Sequence, residues 1–254
     1  MLPAQRHVQI HEALRSARVV SSEELARLLN VSTETIRRDL MLLERQGTLV
    51  RVHGGATGAT GFRGQEASFL ERADMDRDAK AVIGAAAASL FVPGQTVVLD
   101  VGTTAVEVAR AIPSSFRGTV ATCSLLVAAE LAGRPGIDVL VSGGRVRAGD
   151  LACSNYQTVA FFADLRPDIA FIGTGGVDVS AGLTDYHLDE VAARRLVVAN
   201  SERCYALADA SKFERVAPHR VCDLNALDGI ITNGPLPAAL QEALEQRGSV
   251  VIAA

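Results

Sequence analysis

Two groups of side chains in this 254-residue chain stand at spacings that could do chemistry. The first lies in Ser32–Arg45, STETIRRDLMLLER. A helix through this segment buries Ile36, Leu40 and Leu43 at i, i+4, i+7 spacing and turns Glu34, Arg37, Arg38, Met41 and Arg45 outward. An outward arginine can donate two bonds to guanine O6 and N7. Thr33 and Thr35, near the helix start, can bond a phosphate or touch a thymine methyl group. The second group follows an apolar run, TVVLD, that ends at Asp100 and leads into Gly102, Thr103 and Thr104. Glycine permits close backbone approach, and hydroxyls with free N–H groups at a helix start suit an anion. Thr122-Cys123-Ser124 and Gly143-Gly144 follow two more apolar runs, so three such loops fall at successive strand ends. Lys212 and Arg194 are candidate cations for such an anion, and Lys80 and Lys212 are the only lysines in the chain. Asp178, Glu190 and Asp209 are candidate acceptors for ligand hydroxyls, and His187 stands in a loop from which it could reach the same ligand.

The first group needs two helices and a tight turn ahead of it. The spacing predicts a helix over 3–17 with Val8, Ile10 and Leu14 inward. Ser22 then caps a helix ending at Asn30, Val31 and Ser32 form the turn, and Ser32 or Thr33 caps the outward-facing helix, which stops at Gly47. Two short helices so joined make a helix-turn-helix. TLVRVHGGA then reads as two short strands, a wing that brings Arg51 and His53 close to a nucleic-acid backbone or minor groove. The DNA-facing set is Ser32, Thr33, Glu34, Thr35, Arg37, Arg38 and Arg45 with Arg51 and His53. Pairing of Arg37 and Arg38 with Glu34 or Asp39 on a solvated face is the competing reading of the two arginines.

The second group needs a sheet. Apolar runs at 96–100, 119–122, 137–142, 169–173, 204–208 and 229–232 read as buried parallel strands. Segments of helical length lie at 79–91, 104–112, 124–133, 155–164, 188–201 and 235–246. Strand and helix in alternation predict an α/β domain with a mainly parallel sheet flanked by helices, whose ligands bind at the carboxyl ends of the strands. The Gly- and Thr-rich stretch ATGATGFRG at 56–64 reads as a flexible connector. The domains are therefore a winged helix-turn-helix at 1–56, a linker at 57–64 and an α/β domain at 65–254.

Charge supports this division. Residues 1–56 hold eight arginines against six acids, whereas residues 57–254 hold seventeen bases against twenty-three acids. A basic reader on an acidic body suits a nucleic-acid partner, and the acidic body resists binding DNA through the wrong face. The four cysteines are scattered without a CxxC pair, which argues against a zinc site or a disulfide framework. No run of about 18 apolar residues exists and the start lacks the apolar core of a signal peptide, so a membrane is not expected and the cytoplasm is.

STETIRRDL (32–40), followed by Gly47 and by VHGGA (52–56), resembles the signature of the DeoR family of bacterial transcription regulators. The likeness runs along nearly the whole chain, through Phe69, Arg72 and Lys80, DVGTT (100–104), Gly143-Gly144, Gly173-x-x-Gly176-x-Asp178, Gly182-Leu183-Thr184, Glu190 and ADASKF (208–213). The resemblance implies a repressor of sugar-catabolism genes, released from its operator by a phosphorylated sugar. It also implies a sensor domain like ribose-5-phosphate isomerase, with Lys80 joining the effector set. Cys123 stands where many members have Asn, Gly175 where many have Asp, and Arg194 where many have Lys. The Gly175 departure removes a carboxylate matching a catalytic acid of the isomerases, and aldose–ketose isomerisation needs a positioned base. The expectation is a non-enzymatic sensor without cofactor, bound to double-stranded DNA as a homo-oligomer, dimer or tetramer. The alternatives are a sugar-phosphate isomerase-like enzyme with an appended helical domain, and a winged helix that serves protein contacts.

Overall fold

The computed structural model describes residues 3–16, 20–45, 49–52, 54–58, 66–246 and 250–253. The chain forms two units, Met1–Gln65 and Glu66–Ala254.

In the first unit α1 (Pro3–Ser16), β1 (Val20–Ser21), α2 (Ser22–Leu29) and α3 (Thr33–Arg45) precede a hairpin, β2 (Leu49–Val52) and β3 (Gly55–Gly58). Ile10, Leu14, Leu25, Leu29, Ile36, Leu40, Leu43 and Leu49 form its core. Val8, expected inward, is 58% exposed. It lies two residues before Ile10, about 200° round the helix from the buried Ile10–Leu14 stripe. The cap of α2 is Ser21 rather than Ser22: Ser21 accepts from the Glu24 N–H, and Glu24 returns a carboxylate to the Ser21 N–H. Reciprocal capping needs the acid three residues after the serine, which selects Ser21. Asn30, at φ 50°, ends α2 in the left-handed region. The hairpin pairs Leu49 with Gly58 and Val52 with Gly55, and β1 adds to the other edge of β3. A β-carbon on Gly55 would lie 2.2 Å from the Val20 carbonyl oxygen, so this pairing requires glycine. β3 continues two residues past the boundary read at Ala56.

The second unit begins with α4 (Phe69–Asp74) and α5 (Arg77–Ala88), then runs β4 (Thr96–Leu99), α6 (Thr103–Ala111), β5 (Gly118–Thr122), α7 (Leu125–Leu131) and β6 (Ile137–Val141). Next come β7 (Arg145–Val146), β8 (Cys153–Ser154), α8 (Tyr156–Asp164), β9 (Ile169–Ile172), β10 (Gly176–Asp178), β11 (Gly182–Asp185) and α9 (Leu188–Asn200). The chain closes with β12 (Cys204–Leu207), β13 (His219–Cys222), β14 (Gly229–Thr232), α10 (Ala238–Glu245) and β15 (Val250–Ala253). Seven strands form one parallel sheet in the order β15-β14-β12-β9-β4-β5-β6. Alternate residues enter opposite layers. Val97, Leu99, Ile169 and Phe171 pack with Ile83, Ala87 and Val108 of α5 and α6, whereas Val98, Ala170 and Ile172 pack with Phe162, Val191 and Val197 of α8 and α9. The six expected strands are all present. The seventh, β15, and a separate antiparallel sheet β10-β11-β13 were not read from the sequence, because GVD and GLTD are too short and glycine-rich to carry a periodic signal. Among the described residues no helix is long and apolar enough to cross a membrane.

Candidate functional site

In α3 the Ser32 hydroxyl accepts from the Thr35 N–H at 3.1 Å, which decides the cap between Ser32 and Thr33. Asp39 is buried and faces the opposite way from the arginines beside it. Its carboxylate accepts from Arg6 Nε at 2.5 Å and Arg6 Nη2 at 3.0 Å, and contacts His7 Nε2 at 3.1 Å, so it ties α3 to α1. Burial acts to raise the Asp39 carboxyl, but Arg6 and His7 hold it below the usual carboxylate value. Asp39 is therefore unavailable to the arginines. Arg38 reaches Glu34 at 3.4 Å on an open face, while exposed Arg37 is without an ion pair among the described residues. Glu34, Arg37 and Arg38 point outward as the spacing predicts, beside the half-exposed Thr33 and Thr35. Arg45 ends α3. Arg51 contacts Glu44, its N–H donating to the carboxylate at 3.1 Å and its Nη1 lying 3.8 Å away, so the wing strand is buttressed against α3. His53 lies outside the described residues.

In the second unit β12, β9, β4 and β5 are adjacent, at ~4.8 Å per step, so the loops that follow them open along one edge. Arg194 of α9 stands behind this edge. It is 4% exposed and meets three carboxylates: Asp100 at 2.5 Å, Asp185 at 2.8 Å and Glu190 at 3.1 Å. Arg147 in turn pairs with Glu190 and Asp150. Asp100 also accepts from the Gly173 N–H at 2.9 Å and lies 3.8 Å from Cys123 Sγ. Burial alone would lower Arg194, but the three acids hold it firmly protonated. Burial likewise pushes Asp185 up, and Arg194 with the N–H groups of Tyr186 and His187 keeps it below its ordinary value. Glu190 is pushed up by burial against the pull of Arg194 and Arg147. The void between this cluster and Val98, Cys123, Cys153 and Phe162 is about 10 Å³, room for one water at most.

This geometry corrects several expectations. Asp100, Glu190 and Arg194 neutralise one another inside the fold instead of facing a ligand. Thr122 and Ser124 are fully buried: the Thr122 hydroxyl accepts from the Ser124 N–H, and Ser124 caps α7 through the Val127 N–H. A β-carbon on Gly144 would lie 2.7 Å from Asn155 Oδ1, so this glycine admits the start of α8, not a ligand. Asp178 accepts from the Ser180 and Ala181 N–H groups and closes the β10–β11 hairpin at its end remote from Gly173 and Asp185. The Asp209 carboxylate caps the turn Ala210–Lys212 through Ser211. The Lys80 ammonium donates to the carbonyl oxygens of Arg72 and Met75, closing the end of α4.

What remains in the loops after the strands without such an internal partner among the described residues is Gly102, Thr103, Thr104, Gly143 and Lys212. Gly102 has φ +126°, and no side chain caps the first turn of α6. Gly143, at φ +66°, has open space around its α-carbon. Lys212 is half-buried, its protonation lowered by burial, and no ion pair holds it among the described residues. Thr103 and Lys80 also line a cleft of about 470 Å³ between α4, α5, α6 and α7, where Arg77 and Arg110 face Asp74, Glu107 and Glu130. Sequence reasoning missed Arg147 and Tyr186, and it named Arg72 without a role. Arg72 contacts Glu66 at 3.0 Å, and His187 reaches the same carboxylate at 3.5 Å. Tyr186 stacks under Arg215 at 5.6 Å and explains Gly175: a β-carbon there would meet the Tyr186 ring at 2.8 Å.

Comparison with known proteins places both units. Residues 6–60 match a DeoR-like helix-turn-helix domain and residues 75–234 a DeoR C terminal sensor domain. A putative aga operon transcriptional repressor of Escherichia coli O157:H7 is 32% identical over 98% of this chain and 93% of its own length. The HTH-type transcriptional regulator GlpR of Haloferax volcanii is 34% identical over 99% and 98%. A glycerol-3-phosphate regulon repressor of Escherichia coli K12 is 30% identical over 96% of each. An exposed arginine face on a winged helix-turn-helix, an α/β unit following it in the chain and end-to-end likeness to these regulators make the chain a member of the DeoR family of transcriptional regulators.

Proposed function

We propose that this regulator represses carbohydrate-catabolism genes in the cytoplasm and leaves its operator when a phosphorylated sugar binds the strand-end edge of its sensor unit. The observation that carries the effector half is the uncapped first turn of α6 after β4, together with Lys212 after β12 in the same sheet, a half-buried cation without an ion pair among the described residues. Free N–H groups and an unmatched ammonium are what a phosphate needs. On the DNA side, Arg37, without an ion pair among the described residues, has the chemistry to read guanine, and Arg38, loosely held by Glu34, can join it or take a phosphate. A homo-oligomer, at least a dimer, places two such helices one helical turn of DNA apart.

The same unit is proposed to bind its ligand without turning it over. Asp100, Asp185 and Glu190 are all paired to Arg194, and Gly175 brings no carboxylate of its own, so none of these positions supplies a free base. Mobility-shift titration with a panel of sugar phosphates, glycerol 3-phosphate included, tests the reading. Operator affinity that no member of the panel changes would sink the effector half. Binding insensitive to salt would sink the DNA half, because phosphate contacts release counterions. Isomerase activity on pentose or hexose phosphates would overturn the non-enzymatic assignment.

A further inference from the structure

Glu66 is the first residue of the sensor unit, and its carboxylate is shared by cations of two different segments, Arg72 of α4 and His187 ahead of α9. Arg72 Nη1 lies 3.0 Å from one oxygen and His187 Nε2 3.5 Å from the other. Lys212 is close enough for Glu66 to favour its charge and for Arg72 to oppose it. Both members of the Arg72–Glu66 pair are largely buried, with side chains 17% and 13% exposed. Arg72 Nε also donates to the Ala67 carbonyl at 3.0 Å, so one guanidinium clamps the entering chain twice. From Arg72 the ion pairs continue inward to Asp150 at 4.0 Å, then through Arg147 and Glu190 to Arg194 and Asp100. A continuous alternation of charge thus joins the point where the N-terminal unit's chain arrives to the strand end of the sensor site.

Cations gathered round one carboxylate will also accept a phosphate, which brings more charge and three acceptor oxygens. We propose that Glu66 is an internal stand-in for the effector's anionic group, occupying Arg72 and His187 when the site is empty and being displaced when a phosphorylated ligand binds. This rests on the sugar-phosphate reading of the strand-end edge. Docked Glu66 and bound effector exclude one another, so the effector detaches Ala67 and the start of α4 from the sensor. The residue joined to Gln65 is thereby released, and the docked state is the one in which the operator is held. Such a device needs no contact between the units, only that ligand and Glu66 bind the same groups.

The test is calorimetric titration of the full chain with inorganic phosphate and with glycerol 3-phosphate. Wild type, Glu66→Gln and Glu202→Gln are compared, the last being the same charge change on an exposed residue beyond the opposite ends of the strands. If the docked form holds ~90% of the chains, removing the competitor tightens binding by about tenfold in Glu66→Gln, with no change in Glu202→Gln. Phosphate added to the wild type should also raise hydrogen exchange across Phe69–Asp74. Equal affinity in wild type and Glu66→Gln, or binding without faster exchange in α4, overturns the stand-in role while leaving the site reading intact. Failure of both probes to bind either chain defeats the site reading, and the competition with it.

Discussion

Replacing Arg194 with Met tests whether the buried cluster is scaffold. The substitution keeps most of the side-chain volume and removes the charge that meets Asp100, Asp185 and Glu190 together within 3.1 Å. Breaking a buried ion pair from one side costs about 3–5 kcal/mol, because the partner is left unmatched in a low dielectric. Arg147 still covers Glu190, which argues for that range and not a multiple of it. In a unit of this size each kcal/mol moves the midpoint by about 2–4 °C, so the sensor transition should fall by roughly 6–20 °C. The chain has no Trp, so calorimetry or far-ultraviolet circular dichroism is the readout. The pH dependence carries its own sign. In the wild type Asp185 is held below its ordinary value, so its contribution is present above the unfolded pKa and lost as pH falls through the folded one. In the variant Asp185 loses its cation, Glu190 rises further, and the folded state binds more protons than the unfolded chain. The deficit should therefore shrink between pH 8 and pH 5.5. Arg194→Lys should cost less than Met, yet more than nothing, because one ammonium cannot bridge three acids. A midpoint loss below about 3 °C, or a deficit that acid does not reduce, would refute the scaffold assignment.

Other consequences are testable in parallel. Asp39→Ala should destabilise the N-terminal unit by about 2 kcal/mol, by removing the acceptor of Arg6 and His7; adding Arg6→Met should recover part of the loss in a double-mutant cycle. Arg37→Ala should lower discrimination at one operator base pair by roughly tenfold, and an unchanged site preference in mobility shifts would assign Arg37 to phosphate alone. Gly175→Asp should lower the sensor midpoint by driving a side chain into the Tyr186 ring, and Tyr186→Ala in the same chain should relieve it. His187 is raised by its bond to Glu66, so its contribution is full below pH 6.5 and is lost as pH rises through the folded value; the midpoint gap between wild type and His187→Gln should close from pH 6 to pH 9.

Local signals carried the fold. The i, i+4, i+7 stripe of α3 and the six apolar runs are patterns that each segment carries alone, and all appear as elements with ends shifted by no more than one residue. Where two local signals competed, the structure selected the one with the complete hydrogen-bond set, as in Ser21 over Ser22. β15 and the β10-β11-β13 sheet went unread because their sequence runs are short and their stability comes from neighbours, the first being a parallel edge on β14.

The site was legible as a place but not as a set of contacts, and the reason is pairing over distance. The loops after β4, β5 and β6 do lie at adjacent strand ends, as the spacing implied. Yet sequence displays charges without partners. Asp39 adjoins Arg38 in the chain and pairs with Arg6, 33 residues away, while Asp100 pairs with Arg194, 94 residues away. Carboxylates that look like sugar-binding groups in a motif become counter-ions once an arginine threads among them. Departures from a motif must then be read in groups. Gly175 leaves room for the Tyr186 ring, the ring supports Arg215, and Arg215 is one of the charges that Lys212 feels. A single-residue change toward the family's usual Asp at this position would therefore disturb the packing beside the candidate phosphate cation before it added any chemistry.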